Sequence, residues 1–233
     1  MVAKELQVFL LWNNARKKEK RILDDIKQKY ELLRIFEISW PEKSFPDNFT
    51  RFYNKNMRGG YRKTWECGRG KFLLVVGWDN SPVYKLNPRR GYEINDNAVR
   101  NKNLYRQWTG GGFLIHASDN LAEVDENLLL TLGLNRKEFE EKYTSPWDGN
   151  MIEVEKPMPG YKSWKHLEEL FNFAHKIKEI QKLRLINNRL ELQCSDKSMA
   201  CRFLNLRKPL LCFDKNRYYT KIDGKKVKVI FEN

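Results

Sequence analysis

Gly110-Gly111-Gly112-Phe113-Leu114-Ile115-His116-Ala117-Ser118-Asp119-Asn120 is the stretch that decides the fold. Three glycines lead into a short apolar run, and a histidine closes it before a polar turn. Downstream, Leu121–Leu132 has the apolar spacing of an amphipathic helix. Asn120 and Glu123 precede and open it with the spacing of a capping box. A strand that delivers a histidine to a helix start implies a chain in which strands and helices alternate.

The residues upstream repeat that alternation. Positions 6–12 form a continuous apolar run, the pattern of a central strand covered on both faces. Ile22, Leu23, Ile26 and Tyr30 mark one face of a helix. Residues 33–40 alternate like a strand, and Pro41 ends it. Asp47 or Asn48 can cap a short helix through Phe49, Phe52 and Tyr53. Residues 57–70 read as a basic, glycine-broken loop, 72–78 as the third strand and Tyr84–Asn87 as a short one. Asp96–Trp108 has a weak helical pattern, and 113–116 is the fourth main strand.

The expectation is an α/β (α+β) sandwich over 1–143, with helices on one or both faces of its sheet. Three prolines and two glycines in 144–160 mark a linker. Residues 161–233 then predict a helix over 163–182 and a small, basic antiparallel β element. Its strands are expected at 184–193, 200–206, 209–213, Arg217–Ile222 and Lys225–Phe231, and Asp223-Gly224 is a strong hairpin signal.

Charge narrows the partners. The chain has 233 residues with 44 Lys+Arg against 30 Asp+Glu, a formal net charge of +14. Residues 51–106 and 161–233 each carry +9, whereas 107–160 carry −6. Such an excess fits an anionic partner: a nucleotide, a phosphosugar, nucleic acid or an acidic membrane surface. Hydrophobic residues at 41% exclude wholesale disorder. Cys67, Cys194, Cys201 and Cys212 show no CxxC spacing, and three histidines offer no zinc set. Neither a secretory leader nor an apolar window of about 18 residues is visible, so a reduced, cytoplasmic protein without a membrane span is expected.

His116 is the sharpest chemical feature, since imidazole titrates near neutrality and can act as nucleophile or acid/base. Its plain alternative is a polar side chain closing a turn. Ser118, Asp119 and Asn120 lead into a helix start, where free backbone N–H groups favour an anion. The glycines would let a ligand approach the backbone closely. Arg58, Arg62, Lys63, Arg69, Arg89, Arg90, Arg100 and Arg106 supply cations suited to phosphate. Tyr61, Trp65, Tyr92, Tyr105 and Trp108 lie among them and either stack a base or fill the core. Asp79, Asp96 and Asp119 are the candidate Mg2+ carboxylates.

Ile115-His116-Ala117-Ser118-Asp119, followed by Glu123 and Glu126 on a helix, resembles the active-site signature of nucleoside-diphosphate kinases. The order of elements over 6–143 is similar too. The resemblance implies a ferredoxin-like sheet, a histidine that carries the phosphoryl group, and Mg2+ accompanying a nucleotide. Glu126 stands nearest to the carboxylate that supports the imidazole, and Arg106 is the counterpart of a phosphate-binding arginine. The family's lysine after the first strand is missing from Trp12-Asn13-Asn14, where Arg16 and Lys17 are the nearest cations. Phe113 replaces an asparagine and Ala117 a glycine.

The leading reading is a phosphoryl- or nucleotidyl-transfer enzyme, or a diverged nucleotide-binding relative, acting on a nucleotide or phosphorylated small molecule. His116 and Glu126 would be catalytic. Arg89, Arg90, Arg106 and Ser118 would bind phosphate, and Tyr92 and Asn120 the rest of the substrate. The alternatives are a nucleic-acid-binding module built on the basic loops and C-terminal strands, and a nucleotide-sugar-dependent transferase of surface polysaccharide synthesis.

Overall fold

Strand β1 (Glu5–Leu11) is buried from its second residue onward, because the run Leu-Gln-Val-Phe-Leu-Leu has partners on both sides and cover on both faces. The computed structural model describes residues 4–53, 60–209 and 217–232. It divides into two units, Met1–Leu129 with Leu134–Pro157, and Leu130–Gly133 with Met158–Asn233.

In the first unit β1 leads through a 3-10 turn into α1 (Glu19–Lys29), then β2 (Glu31–Ser39), α2 (Phe45–Tyr53) and α3 (Gly60–Cys67). The chain continues through β3 (Phe72–Asp79), the hairpin β4 (Tyr84–Asn87) and β5 (Tyr92–Asn95), and α4 (Asp96–Trp108). It closes with β6 (Ile115–Ala117), α5 (Leu121–Leu132), α6 (Arg136–Lys142) and β7 (Met151–Glu155). The main sheet has the order β6-β1-β3-β2-β7. β3 lies antiparallel between β1 and β2, and β6 is antiparallel to β1. With the β4–β5 hairpin set aside, this is the ferredoxin-like order 4-1-3-2, extended by β7 parallel to β2.

Both faces are covered. Phe9 and Leu11 of β1 point into a cluster with Ile22 and Ile26 of α1, Ala98 and Tyr105 of α4, and Ile115 and Ala117 of β6. Alternate residues turn the other way, as a pleated strand requires. Phe36 meets Phe139 and Tyr143, and Trp12 enters a ring cluster with Trp40, Phe45, Phe49, Phe52, Tyr53 and Phe72.

Three local expectations change. Gly60–Cys67 is helical, where a loop was expected over 57–70; positions 57–59 lie outside the described residues. β5 follows the turn at Arg89–Gly91 as the return strand of a hairpin. The segment 144–160 contains β7, whose alternating exposure gives a weak apolar signal but whose backbone extends the sheet.

The second unit holds α7 (Leu167–Ala174), β8 (Ile180–Ile186), β9 (Arg189–Cys194), α8 (Lys197–Phe203), β10 (Arg217–Ile222) and β11 (Lys225–Phe231). The sheet order is β10-β11-β9-β8, and β11 runs parallel to β9. Trp164, Leu170, Phe173, Leu190, Leu192, Phe203 and Val229 are buried in this unit. The expected helix over 163–182 is shorter, since 180–182 already belong to β8, and 200–203 are helical rather than extended. Asp196 forces the latter outcome by accepting a hydrogen bond from Met199 N (3.0 Å), which starts α8. The expected strand over 209–213 falls mostly outside the described residues. Asp223 and Gly224 adopt positive φ (49° and 72°), as a two-residue hairpin turn demands. Asn187 and Asn188 do the same (49° and 60°) between β8 and β9.

Candidate functional site

His116 sits in the middle of β6, opposite Leu10 of β1, and is 8% exposed. The glycines that precede it end α4: Gly110, Gly111 and Gly112 all take positive φ (92°, 89° and 72°). Gly111 N donates to Arg106 O at 2.6 Å, closing the helix. No atom would meet a Cβ on Gly110 or Gly111. Their role is conformational, reversing the chain into β6, and not a close approach to another group.

The imidazole Nε2 is 2.9 Å from Asn127 Nδ2, and the same amide nitrogen is 2.8 Å from Ser118 Oγ. Phe52 and Tyr53 of α2 meet the ring edge-on, with centroids at 5.4 and 5.8 Å. Trp12 Nε1 donates to Tyr53 OH (2.7 Å), so the aromatic cluster fixes the tyrosine that fixes the imidazole. Glu123 Oε1 lies 3.7 Å from His116 Nε2.

The helix start supplies the rest. Glu123 N donates to Asn120 Oδ1 (3.0 Å), and Glu123 Oε2 accepts from Asp119 N (2.6 Å). Glu123 keeps 30% of its side-chain surface accessible, yet its carboxylate is walled by protein. That burial, with the charge of Asp119 and then Glu126 behind it, pushes its pKa up to about 7. Asp119 is held by Lys102 Nζ (2.5 Å) and by Arg90, whose guanidinium also donates to Tyr92 OH (2.8 Å).

Arg106 closes the constellation. Its Nε donates to Ile115 O (2.9 Å), the carbonyl just before His116, and burial holds its pKa below the usual guanidinium range. Among the described residues no acidic side chain pairs with it. Lys63 Nζ sits 3.7 Å over the Phe113 ring and is likewise pushed down by burial. Arg106 lies 5.8 Å from the same ring, which remains 39% exposed.

The expected site residues therefore separate. His116, Ser118, Arg106, Asn120 and, through Asp119, Arg90 and Tyr92 gather around the β6–α5 junction. Ser118 acts as a fully buried partner of Asn127, and Asn120 as a helix cap. Arg89 is exposed in the turn between β4 and β5, with its backbone N bonded to Asn87 Oδ1 (3.1 Å). The described contacts on the imidazole nitrogen come from Asn127 and Glu123; Glu126 enters through its repulsion of Glu123. Of the remaining cations, Arg100 pairs with Asp96 (2.7 Å) and Arg69 lies over Trp65. Arg16 is taken by Glu19 and Glu37. Arg58 and the side chains of Tyr61 and Arg62 lie outside the described residues. Tyr105 is core, bonded to Asp25 (2.7 Å).

Sequence reading missed Asn127 and Phe113. The signal for Asn127 was helical spacing: Asn120, Glu123 and Asn127 share one face of α5. Asp79, Asp96 and Asp119 do not meet as a metal site. Asp79 is bonded by Asn95 and Asn97, Asp96 is paired with Lys85 and Arg100, and Asp119 with Lys102 and Arg90. Among the described residues no group of three His, Cys, Asp or Glu is placed to hold a metal ion. Nor is any described helix long and apolar enough to cross a membrane.

No protein-family model matches the chain, and no curated protein does. Among solved structures, the nucleoside diphosphate kinase of Aquifex aeolicus is similar over 58% of this chain and 99% of that one, at 14% identity and a TM-score of 0.38. The similarity is distant and is one of fold alone.

Proposed function

We propose that the β6–α5 junction binds the phosphates of a nucleotide or phosphorylated small molecule, and that His116 accepts a phosphoryl group from it. The observation that carries this reading is Arg106. A half-buried guanidinium with no acidic partner among the described residues is costly unless an anion completes it. It is anchored to the carbonyl next to His116, so an anion seated on it lies beside the imidazole. Lys63 adds a second desolvated cation, and the exposed Phe113 ring between them can stack a base.

The Asn127 amide nitrogen donates to Nε2, so Nε2 holds the lone pair of the neutral ring. That lone pair would attack phosphorus in place of the Asn127 hydrogen bond, and the bond to the leaving phosphate oxygen would break with its electron pair on that oxygen. Positive charge then develops on the ring, and the ionised Glu123 carboxylate 3.7 Å away stabilises it. Arg106 and Lys63 would neutralise the phosphate charge as it shifts. Among the described residues the acidic side chains do not group to hold Mg2+, so such an ion would arrive on the nucleotide's own phosphates.

A thermal-shift series with nucleoside di- and triphosphates tests the binding step, since a ligand of the native state alone raises its melting temperature. The expected result is a shift with at least one nucleotide, weakened about tenfold or more in apparent affinity by Arg106→Gln. An undiminished shift in Arg106→Gln would remove the phosphate seat from this junction.

A further inference from the structure

The four-stranded sheet of the second unit has one face turned to its core and one turned outward. Leu183, Leu190, Leu192, Val229 and Phe231 are the core-facing residues. The opposite parity is cationic: Lys221 pairs across with Lys226, and Tyr219 with Lys228, which is itself opposite Arg189. Lys221, Lys226 and Lys228 are exposed, and no acidic side chain pairs with them among the described residues. Glu191, the acid within this face, is already taken by Arg184 and Arg189. Lys226 Nζ lies 5.0 Å over the Tyr219 ring, a flat surface with a cation beside it.

The β10 edge continues the pattern. Arg207 pairs there with Tyr219 through backbone bonds in both directions (2.9 and 2.8 Å). It brings a second set of cations around a small recess lined by Lys162, Asn205, Arg207, Tyr219 and Lys221. None of its three cations has an acidic partner among the described residues.

We infer that this outward face and its edge recess bind single-stranded nucleic acid, separately from the phosphate seat at His116. Cations two residues apart on a strand are spaced about 6.8 Å, so Lys226 and Lys228 can follow a chain of phosphates. The three cations around the recess can hold one phosphate at its mouth, and Tyr219 offers a ring for a base. An acidic membrane fits less well. The apolar residues of this parity, Ile186 and Ile230, are only partly exposed, and Leu185, a large exposed hydrophobic residue described in this unit, belongs to the other face, so little apolar surface is offered for insertion.

Fluorescence anisotropy of the full chain with a labelled oligouridylate and a thymidine oligomer of equal length, across a salt series, tests the inference. Binding of either single strand at low salt is expected, falling steeply as salt rises. Lys221→Ala/Lys226→Ala/Lys228→Ala should reduce the log–log salt slope by about 2, at roughly 0.7 per contact. Tyr219→Leu should lower affinity about tenfold without changing that slope. Both variants are checked for an unchanged melting curve, and Arg106→Gln is expected to bind the oligomer normally. Absence of binding, or equal binding by the charge variant, overturns the inference. So does a preference for phosphatidylserine vesicles or duplex DNA, or loss of oligomer binding in Arg106→Gln.

Discussion

Glu123 couples the site to pH. Its folded pKa of about 7 lies above the ordinary glutamate value, because burial and the charge of Asp119 disfavour the ionised form. The sign follows from linkage: the native state binds the proton more tightly than the unfolded chain. This group's contribution to stability is therefore complete below the ordinary value and lost as pH rises through about 7. Glu123→Gln removes the loss while an amide oxygen can still accept from Asp119 N. The variant should gain on the parent between pH 4.5 and pH 8, by on the order of 2 kcal/mol after allowance for partial solvent access. Denaturant melts at the two pH values check it; a constant difference would contradict the raised pKa. Phosphoryl transfer should rise over the same interval, because the carboxylate must be ionised to support a cationic ring. At the partner position, Asn127→Leu leaves Ser118 Oγ buried without its amide donor. The expected cost is about 1–3 kcal/mol, together with loss of transfer, read by melts and by activity in parallel.

The elements show why some of this was legible in sequence and some was not. β1 and β3 announce themselves as apolar runs, since each is buried on both faces, and β2 as an alternating run. β6 was found because three glycines and a helix cap bracket it. β7 was not, because its residues alternate weakly and only the backbone pairing with β2 makes it a strand. α8 hid behind a β-like run that the Asp196 cap overrides. The central strand also gives a direct test: Leu10 is fully buried between Leu74 and His116. Leu10→Ala should destabilise the protein by about 2–5 kcal/mol through the cavity it opens, and should loosen the histidine strand with it. At the helix start, Asn120→Ala should cost about 1 kcal/mol by removing the cap on Glu123 N, with the same melts as readout.

At the scale of the molecule, the charge map divides along the two units. The positive stretch at 51–106 looked in sequence like one phosphate cradle. Much of it turns out to be spent on structure: Lys102 and Arg90 hold Asp119, and Arg100 and Lys85 hold Asp96. Side-chain pairing of this kind depends on which loops meet, and no local pattern records it. Among the described residues, Arg106 in the first unit and Lys221, Lys226 and Lys228 in the second are cations without an acidic partner. Two independent binding activities are predicted, with the proposed phosphoryl transfer at the first. The most direct measurement is incubation of the full chain with [γ-32P]ATP and Mg2+, followed by acid and alkali treatment of the labelled protein. A phosphoryl group on His116 predicts acid-labile, alkali-stable label that is absent from His116→Ala. No label on a protein that demonstrably binds the nucleotide, or equal label on His116→Ala, would contradict the account.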